Sequence, residues 1–189
     1  MTIIGVDPGL KGAFAVMVED KLTQLVSMPV QTFEMSTKTK SGKTKQKSMI
    51  DGAAVRKFLK QFPRNHETEI VIELVGVRFG DGGVSMFNFG EGFGLLKGIF
   101  IGMGFKFCQV RPAAWTKAMG LNYSETNAYN PADIVAPNMF PDVDFRRTPR
   151  CQLRDEGFCD AALIAEFLRR IRVEETERAL RSAATGDPK

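Results

Sequence analysis

Ile3-Ile4-Gly5-Val6-Asp7-Pro8-Gly9-Leu10-Lys11-Gly12-Ala13-Phe14-Ala15-Val16 decides the fold. Ile3 to Val6 has the β-branched, apolar content of a strand buried in a core. Pro8 and Gly9 punctuate it, and the residues from Gly12 onward read as a second strand. Gly12 lets the backbone pass close to whatever lies beside Asp7. Asp7 therefore closes a central strand at the mouth of a core. It serves there as a turn cap, or as a carboxylate offered to a cation or a phosphate. Partners elsewhere in the chain must decide between the two.

Working outward, Gly12–Val18 and Leu22–Met28 predict a hairpin turning at Glu19-Asp20-Lys21. The stretch from Thr37 to Ser48 places a lysine at nearly every second position, including Lys43 and Lys45, and carries no apolar side chain. It reads as a mobile Lys-rich loop insertion at about 36–48, either solvated or acting as an arm on nucleic-acid phosphates. Asp51 is placed to cap a helix bearing Ala54, Val55, Phe58, Leu59 and Phe62, with Pro63 ending it. Glu69 to Val75 reads as another buried strand interrupted by Glu73, a charge that is costly there unless compensated. Parallel pairing with the first strand would set Glu73 beside Asp7.

Ser85 is expected to cap the next helix, after the glycine-rich segment that contains Arg78 and Phe79. Gly90, Gly94, Gly98 and Gly102 form a smooth stripe on that helix, which predicts close packing against the sheet or another helix. Its aromatics are expected in the core, with Phe79 or Phe87 the ones to meet an unstacked base. Phe105 to Val110 predicts a further strand, followed by Arg111-Pro112 opening a helix in which Trp115 is buried. Arg111 and Lys117 are candidates to face a phosphate, as is Lys11 beside Asp7. A short helix is expected over Ala132 to Phe140, and Arg146, Arg147, Arg150 and Arg154 form a second basic patch. From Leu153 to Ile171 a helix carries an inward stripe of Ala161, Ile164, Leu168 and Ile171. Carried backward at helical spacing, that stripe reaches Asp160 and then Glu156, with Asp155 on the other side. The charged segment 173–189 reads as a frayed helix and tail, leaving 1–172 as one domain.

Composition sets the boundaries. A net charge of +4 and a pI near 9.0 favour a polyanionic partner. The three cysteines have no metal-site spacing, and an odd number cannot all pair, so a reducing compartment, the cytoplasm, is expected. The opening lacks a charged region ahead of its apolar run, so no signal peptide is expected. The single histidine, His66, sits among polar residues, which argues against histidine-based chemistry.

Four acids, Asp7, Glu73, Glu156 and Asp160, thus predict a divalent-metal site. Oxygen-only ligands favour Mg²⁺ or Mn²⁺ over zinc. Two such ions activate a water and stabilise the leaving oxygen of a phosphodiester.

At these residues the chain resembles the RuvC-like Holliday-junction resolvases of the ribonuclease H-like superfamily. Ile4-Gly5-Val6-Asp7-Pro8-Gly9 resembles the first motif, Val71-Ile72-Glu73 the second, and Asp160-Ala161-Ala162-Leu163-Ile164-Ala165 the last. Gly83 to Gly90 and Val110 to Trp115 resemble phage-borne and prophage-type members. The resemblance implies an α/β fold with a five-stranded mixed sheet flanked by helices, a homodimer, and magnesium-dependent symmetric nicking of four-way DNA junctions. It also implies ends carrying 5′-phosphates. One departure stands out: the usual fourth ligand lies three residues before the last aspartate, where this chain has Gly157; Glu156, one turn before Asp160, can take that role, with Asp155 the alternative. Three other readings remain open on the same residues. They are a flap or RNA–DNA hybrid nuclease, an actin-like ATPase cradling phosphates at Asp7–Gly12, and an inactive DNA-binding protein.

Overall fold

A computed structural model describes residues 1–38, 42–64, 67–74, 76, 82–121 and 130–185, with side chains described to 182. In chain order the elements are β1 (Thr2–Asp7), β2 (Ala13–Val18), β3 (Lys21–Ser27), β4 (Val30–Lys38), β5 (Thr44–Ile50) and α1 (Gly52–Leu59). They continue with β6 (Thr68–Glu73), α2 (Gly83–Met103), β7 (Lys106–Val110), α3 (Pro112–Ala118), α4 (Ala132–Met139) and α5 (Glu156–Thr185).

The main sheet has five strands in the order β3-β2-β1-β6-β7. β1 pairs antiparallel with β2 and parallel with β6, and β6 pairs parallel with β7. The sheet is therefore mixed, as expected. Side chains alternate across β1, so Ile3 joins the core beneath α3, α4 and α5 while Ile4 and Val6 join the core beneath α1 and α2. Both faces are covered, which is why β1 and β6 are continuous apolar runs rather than alternating ones.

Asp51 caps α1 as its position predicts, its Oδ1 accepting from the backbone N–H groups of Ala53 and Ala54 at 3.0 Å. The helix stops at Leu59, before Pro63. β6 ends at Glu73, two residues short of the expected strand end. α4 spans Ala132–Met139, close to the expected Ala132–Phe140. α5 runs on through the segment expected to fray, reaching Thr185.

Three expectations are overturned. Residues 37–38 and 44–48 are not loop but parts of β4 and β5, a separate two-stranded ribbon. Thr32 Oγ1 and Ser48 Oγ share a hydrogen bond of 3.3 Å across it, and Lys47 Nζ meets Glu91 at 3.2 Å. Every residue of β4 is exposed and β5 is buried only at its end, at Ile50, so the Lys-rich stretch itself lacks the apolar face on which a strand assignment rests. Second, α2 starts at Gly83 with Gly82, not Ser85, at its N-cap position. Third, the glycine stripe does not pack: a side chain at Gly90, Gly94, Gly98 or Gly102 would meet nothing within 4 Å. α2 buries Leu96, Phe100 and Met103 instead, while Phe87, one of the two aromatics expected to stand outside the core, is 70% exposed. No helix among the described residues is long and apolar enough to cross a membrane.

Candidate active site

Strand register brings the first two acids together. Val6 lies across from Ile72 in the parallel β1–β6 pair, so Asp7 and Glu73 follow one residue later at the same end. Asp7 keeps the parity of Ile3, and Glu73 that of Val71, and both of those side chains sit in the core on the α5 side.

Close approach of α5 supplies the other two. A Cβ at Gly5 would lie 2.2 Å from Ala161 O and 2.6 Å from Ala165 N, so α5 rests directly on β1. A Cβ at Gly157 would lie 2.6 Å from Lys11 O and 2.9 Å from Gly12 Cα. The first turn of α5 is thereby pressed onto the turn that follows Asp7. A side chain at 157 would therefore meet backbone atoms of that turn, and the carboxylate that this part of α5 offers to the cavity beside Asp155 is Glu156.

Asp7, Glu73, Asp155, Glu156 and Asp160 line one open cavity of about 810 Å³, together with Lys11 and Arg147. Burial pushes Asp160 up to about 8, helped by the charges of Asp7, Glu156, Glu73 and Asp133. Asp160 Oδ1 is buried and, among the described residues, has no hydrogen-bond partner. Burial likewise pushes Asp7 up to about 6; a hydrogen bond from Gly9 N at 3.3 Å opposes this, and the charges of Glu73, Glu156 and Asp155 reinforce it. Glu73 is held from the side by Trp115, whose Nε1 donates to Oε1 at 2.9 Å. Nothing in sequence spacing points to that bond. Trp115 is buried as expected, and its partner is what sequence reasoning misses.

Asp155 and Glu156 are distinguished by their neighbours. Asp155 caps α5, its Oδ1 accepting from Phe158 N at 3.2 Å, and its Oδ2 lies 2.6 Å from Arg147 Nε. It lines the same cavity as Glu156, against the expectation that it lies on the other side. Glu156 is exposed and accepts a hydrogen bond from Asn130 Nδ2 at 2.9 Å.

Among the described residues, no three acidic, histidine or cysteine side chains are grouped tightly enough to hold a metal ion as they stand. The donor set nevertheless suits a hard cation in kind. It is all oxygen, one buried oxygen lacks a partner among the described residues, and the neighbouring carboxylates repel the charge of Asp160.

The basic candidates fall into three groups. Lys11 and Arg147 stand at the cavity, where Arg147 Nη2 also donates to Lys11 O at 3.1 Å. Arg111 and Lys117 flank Trp115 on α3 and are exposed, and Arg150 is exposed in the segment before α5. Lys43 and Lys45 lie on the ribbon, away from the cavity lining. The expected arginine patch is partly consumed internally, because Arg146 pairs with Asp144 at 2.8 Å and Arg154 donates to Asp133 O at 2.7 Å. Arg78, Phe79 and His66 lie outside the described residues.

No family model matches the sequence, and no curated protein matches it. Solved structures do. A structure of T. thermophilus RuvC in complex with Holliday junction substrate aligns with a TM-score of 0.54, at 15% identity, over 90% of this chain and 96% of that chain. The fold is that of RuvC. A second Thermus thermophilus RuvC structure gives a TM-score of 0.52 with the same identity and coverage. RuvC is therefore a structural neighbour along nearly the whole length of this chain, and the five-stranded mixed sheet with its flanking helices is common ground.

Proposed function

We propose that this chain is a structure-selective DNA endonuclease that resolves four-way and branched junctions by divalent-metal-dependent phosphodiester hydrolysis. The carrying observation is the convergence of Asp7, Glu73, Glu156 and Asp160 on one open cavity of a RuvC fold, with an orphaned oxygen on Asp160. These four carboxylates are the proposed holders of two Mg²⁺ ions, with Mn²⁺ able to substitute. Bound there, the ions would supply Lewis-acid stabilisation of the phosphodiester and a water of lowered pKa, giving 5′-phosphate and 3′-hydroxyl ends.

The remaining work falls to the chain's own residues. β1 and α5 hold Asp7 and Asp160 on rigid elements, and Trp115 fixes Glu73. Lys11 and Arg147 place positive charge at the cavity for an entering phosphate. Lys43, Lys45, Arg111, Lys117 and Arg150, exposed outside the cavity lining, are proposed to contact the junction arms, with Arg78 and Phe79 in the same role. A two-fold junction needs two cuts, and α2 offers an apolar face for a second copy: Val84 and Ile101 are 77% and 66% exposed. We assign the homodimer contact to that face, and a cytoplasmic location to the enzyme.

The test is cleavage of a synthetic mobile four-way junction with Mg²⁺ and with chelator, beside flap and RNA–DNA hybrid substrates. Paired, ligatable nicks on the junction that vanish with chelator are expected. Preference for the flap or the hybrid, or cleavage indifferent to chelator, would overturn the assignment.

A further inference from the structure

We propose that the groove between the base of the β4–β5 ribbon and the first half of α2 receives an unpaired nucleotide of the DNA strand being cut. The inference rests on the nuclease reading above and adds a second binding site to it.

The groove encloses about 410 Å³, within the range of pockets that hold small ligands and enough for one base with its sugar. Met49, Phe89 and Leu95 give it an apolar lining, and Ser48, Asn88 and Lys11 supply polar groups. Among the described residues, the side chains of Ser85 and Asn88 make no hydrogen bond, although both line the groove. Glu91 is the one acid among the described lining residues, and Lys47 pairs with it at 3.2 Å. Lys11 is then the remaining charge, so the groove is positive, whereas carboxylates outnumber basic side chains in the neighbouring cavity.

Position makes the ligand a nucleotide rather than a free small molecule. Gly9 and Lys11 line both the groove and the carboxylate cavity, so only the turn after β1 separates them. A strand whose phosphate lies among the carboxylates has its next nucleotide at that turn. A base has two apolar faces and polar edges, and this groove offers an aromatic ring for a face and a free side-chain amide for an edge. A phosphate alone would leave the apolar lining unused, and an apolar peptide would leave Asn88 unpaired. A base already unpaired at a branch point enters without the cost of opening a duplex, so the groove favours branched substrates over linear ones.

The test is photocrosslinking of a four-way junction carrying 4-thiothymidine at the nucleotides flanking the cut, bound with Ca²⁺ in place of Mg²⁺. Adducts are expected within residues 47–50 and 85–95. Ser85→Trp, which fills the groove from its exposed rim, should reduce both adduct yield and junction affinity about tenfold. Asn88→Ala, the milder variant, should lower adduct yield with an unchanged melting temperature. Adducts confined to other segments, or wild-type affinity in Ser85→Trp, would overturn the proposal. So would a Ser85→Trp protein whose only change is its oligomeric state, since the occupant would then be a second copy of the chain. A wild-type protein that neither binds nor cuts the junction would instead bring down the nuclease reading.

Discussion

Trp115 Nε1 donates a 2.9 Å hydrogen bond to Glu73 Oε1, tying α3 to the end of β6 through a carboxylate of the cavity. The indole is 2% exposed and is the chain's one tryptophan. Trp115→Phe keeps an aromatic ring in the core but removes the donor. Stability should fall by about 1 kcal/mol, while metal affinity or activity falls roughly 10–100-fold, as happens when a group orienting a ligand is lost. Cleavage rate measured across Mg²⁺ concentrations checks this. An unchanged Mg²⁺ profile would make the bond purely structural.

Asp160 and Asp7 should be required for cleavage and dispensable for binding. Asp160→Asn and Asp7→Asn are each expected to abolish junction cutting while leaving junction affinity within a few-fold. Asp160→Asn should also stabilise the metal-free protein. Burial raises the folded-state value to about 8, so the contribution of this group is fully present below its unfolded value and is lost as pH rises through about 8. The asparagine does not ionise. The variant's advantage, on the order of a few kcal/mol, should therefore appear at alkaline pH and vanish below about pH 4. Thermal melts with chelator at the two extremes decide it, and a variant that gains nothing at high pH would contradict the burial argument.

The opposite sign is expected at Glu69. This buried carboxylate accepts from Arg172 Nε at 2.8 Å and lies 3.1 Å from Lys106 Nζ. Burial pushes its pKa up, but the hydrogen bonds and charges of Arg172 and Lys106 outweigh burial and hold it below the ordinary value of 4.5. Its stabilisation is present above that value and lost as pH falls through the lower folded-state one. Arg172→Met leaves the charge with Lys106 alone, and should cost roughly 3–5 kcal/mol at neutral pH and progressively less in acid. Denaturant melts across the acid range would show the two curves converging. A constant gap would assign the loss to packing.

The ribbon lysines test long-range attraction separately from chemistry. Lys43→Ala with Lys45→Ala should weaken junction binding and make its salt dependence less steep, by about one in the log–log slope for each phosphate no longer neutralised. Cleavage at saturating enzyme should change little, because neither residue lines the carboxylate cavity. Affinity measured over a salt series reads this directly, and an unaltered slope would make the ribbon a bystander in DNA binding.

Much of the site is legible in the sequence because periodicity carries it. β1 and β6 announce themselves as buried apolar runs, and their acids sit where the runs end. The inward stripe of α5 extends to Asp160 and Glu156 by helical spacing alone. What is illegible depends on contacts between distant segments. The ribbon escapes notice because Thr37 to Ser48 has no buried face, so strand pairing leaves no apolar alternation to read. Gly90, Gly94, Gly98 and Gly102 look like a packing stripe in one dimension, yet the helix buries the Leu96–Phe100–Met103 side and leaves the stripe open. The Trp115–Glu73 bond joins residues whose adjacency exists only once β7 and α3 have docked.

Gly157 offers the sharpest test of how the fourth carboxylate is placed. Its Cβ would stand 2.6 Å from Lys11 O, a backbone atom that cannot swing aside, and the turn bearing Lys11 follows Asp7 directly. Gly157→Asp sets a carboxylate where the resolvase pattern has one, but it should force α5 away from β1. Stability should fall by about 2–4 kcal/mol and cleavage at least roughly a hundredfold. Glu156→Gln should lose comparable activity with its melting temperature intact, since the side chain is exposed and, among the described residues, held by Asn130 alone. Asp155→Asn should show the reverse, a loss of about 1–2 kcal/mol from the α5 cap and the Arg147 pair with most activity retained. Paired melts and single-turnover rates on the three variants separate these outcomes. An active, stable Gly157→Asp protein would show that the close approach does not exclude a carboxylate at 157, and full activity in Glu156→Gln would remove that residue from the proposed site.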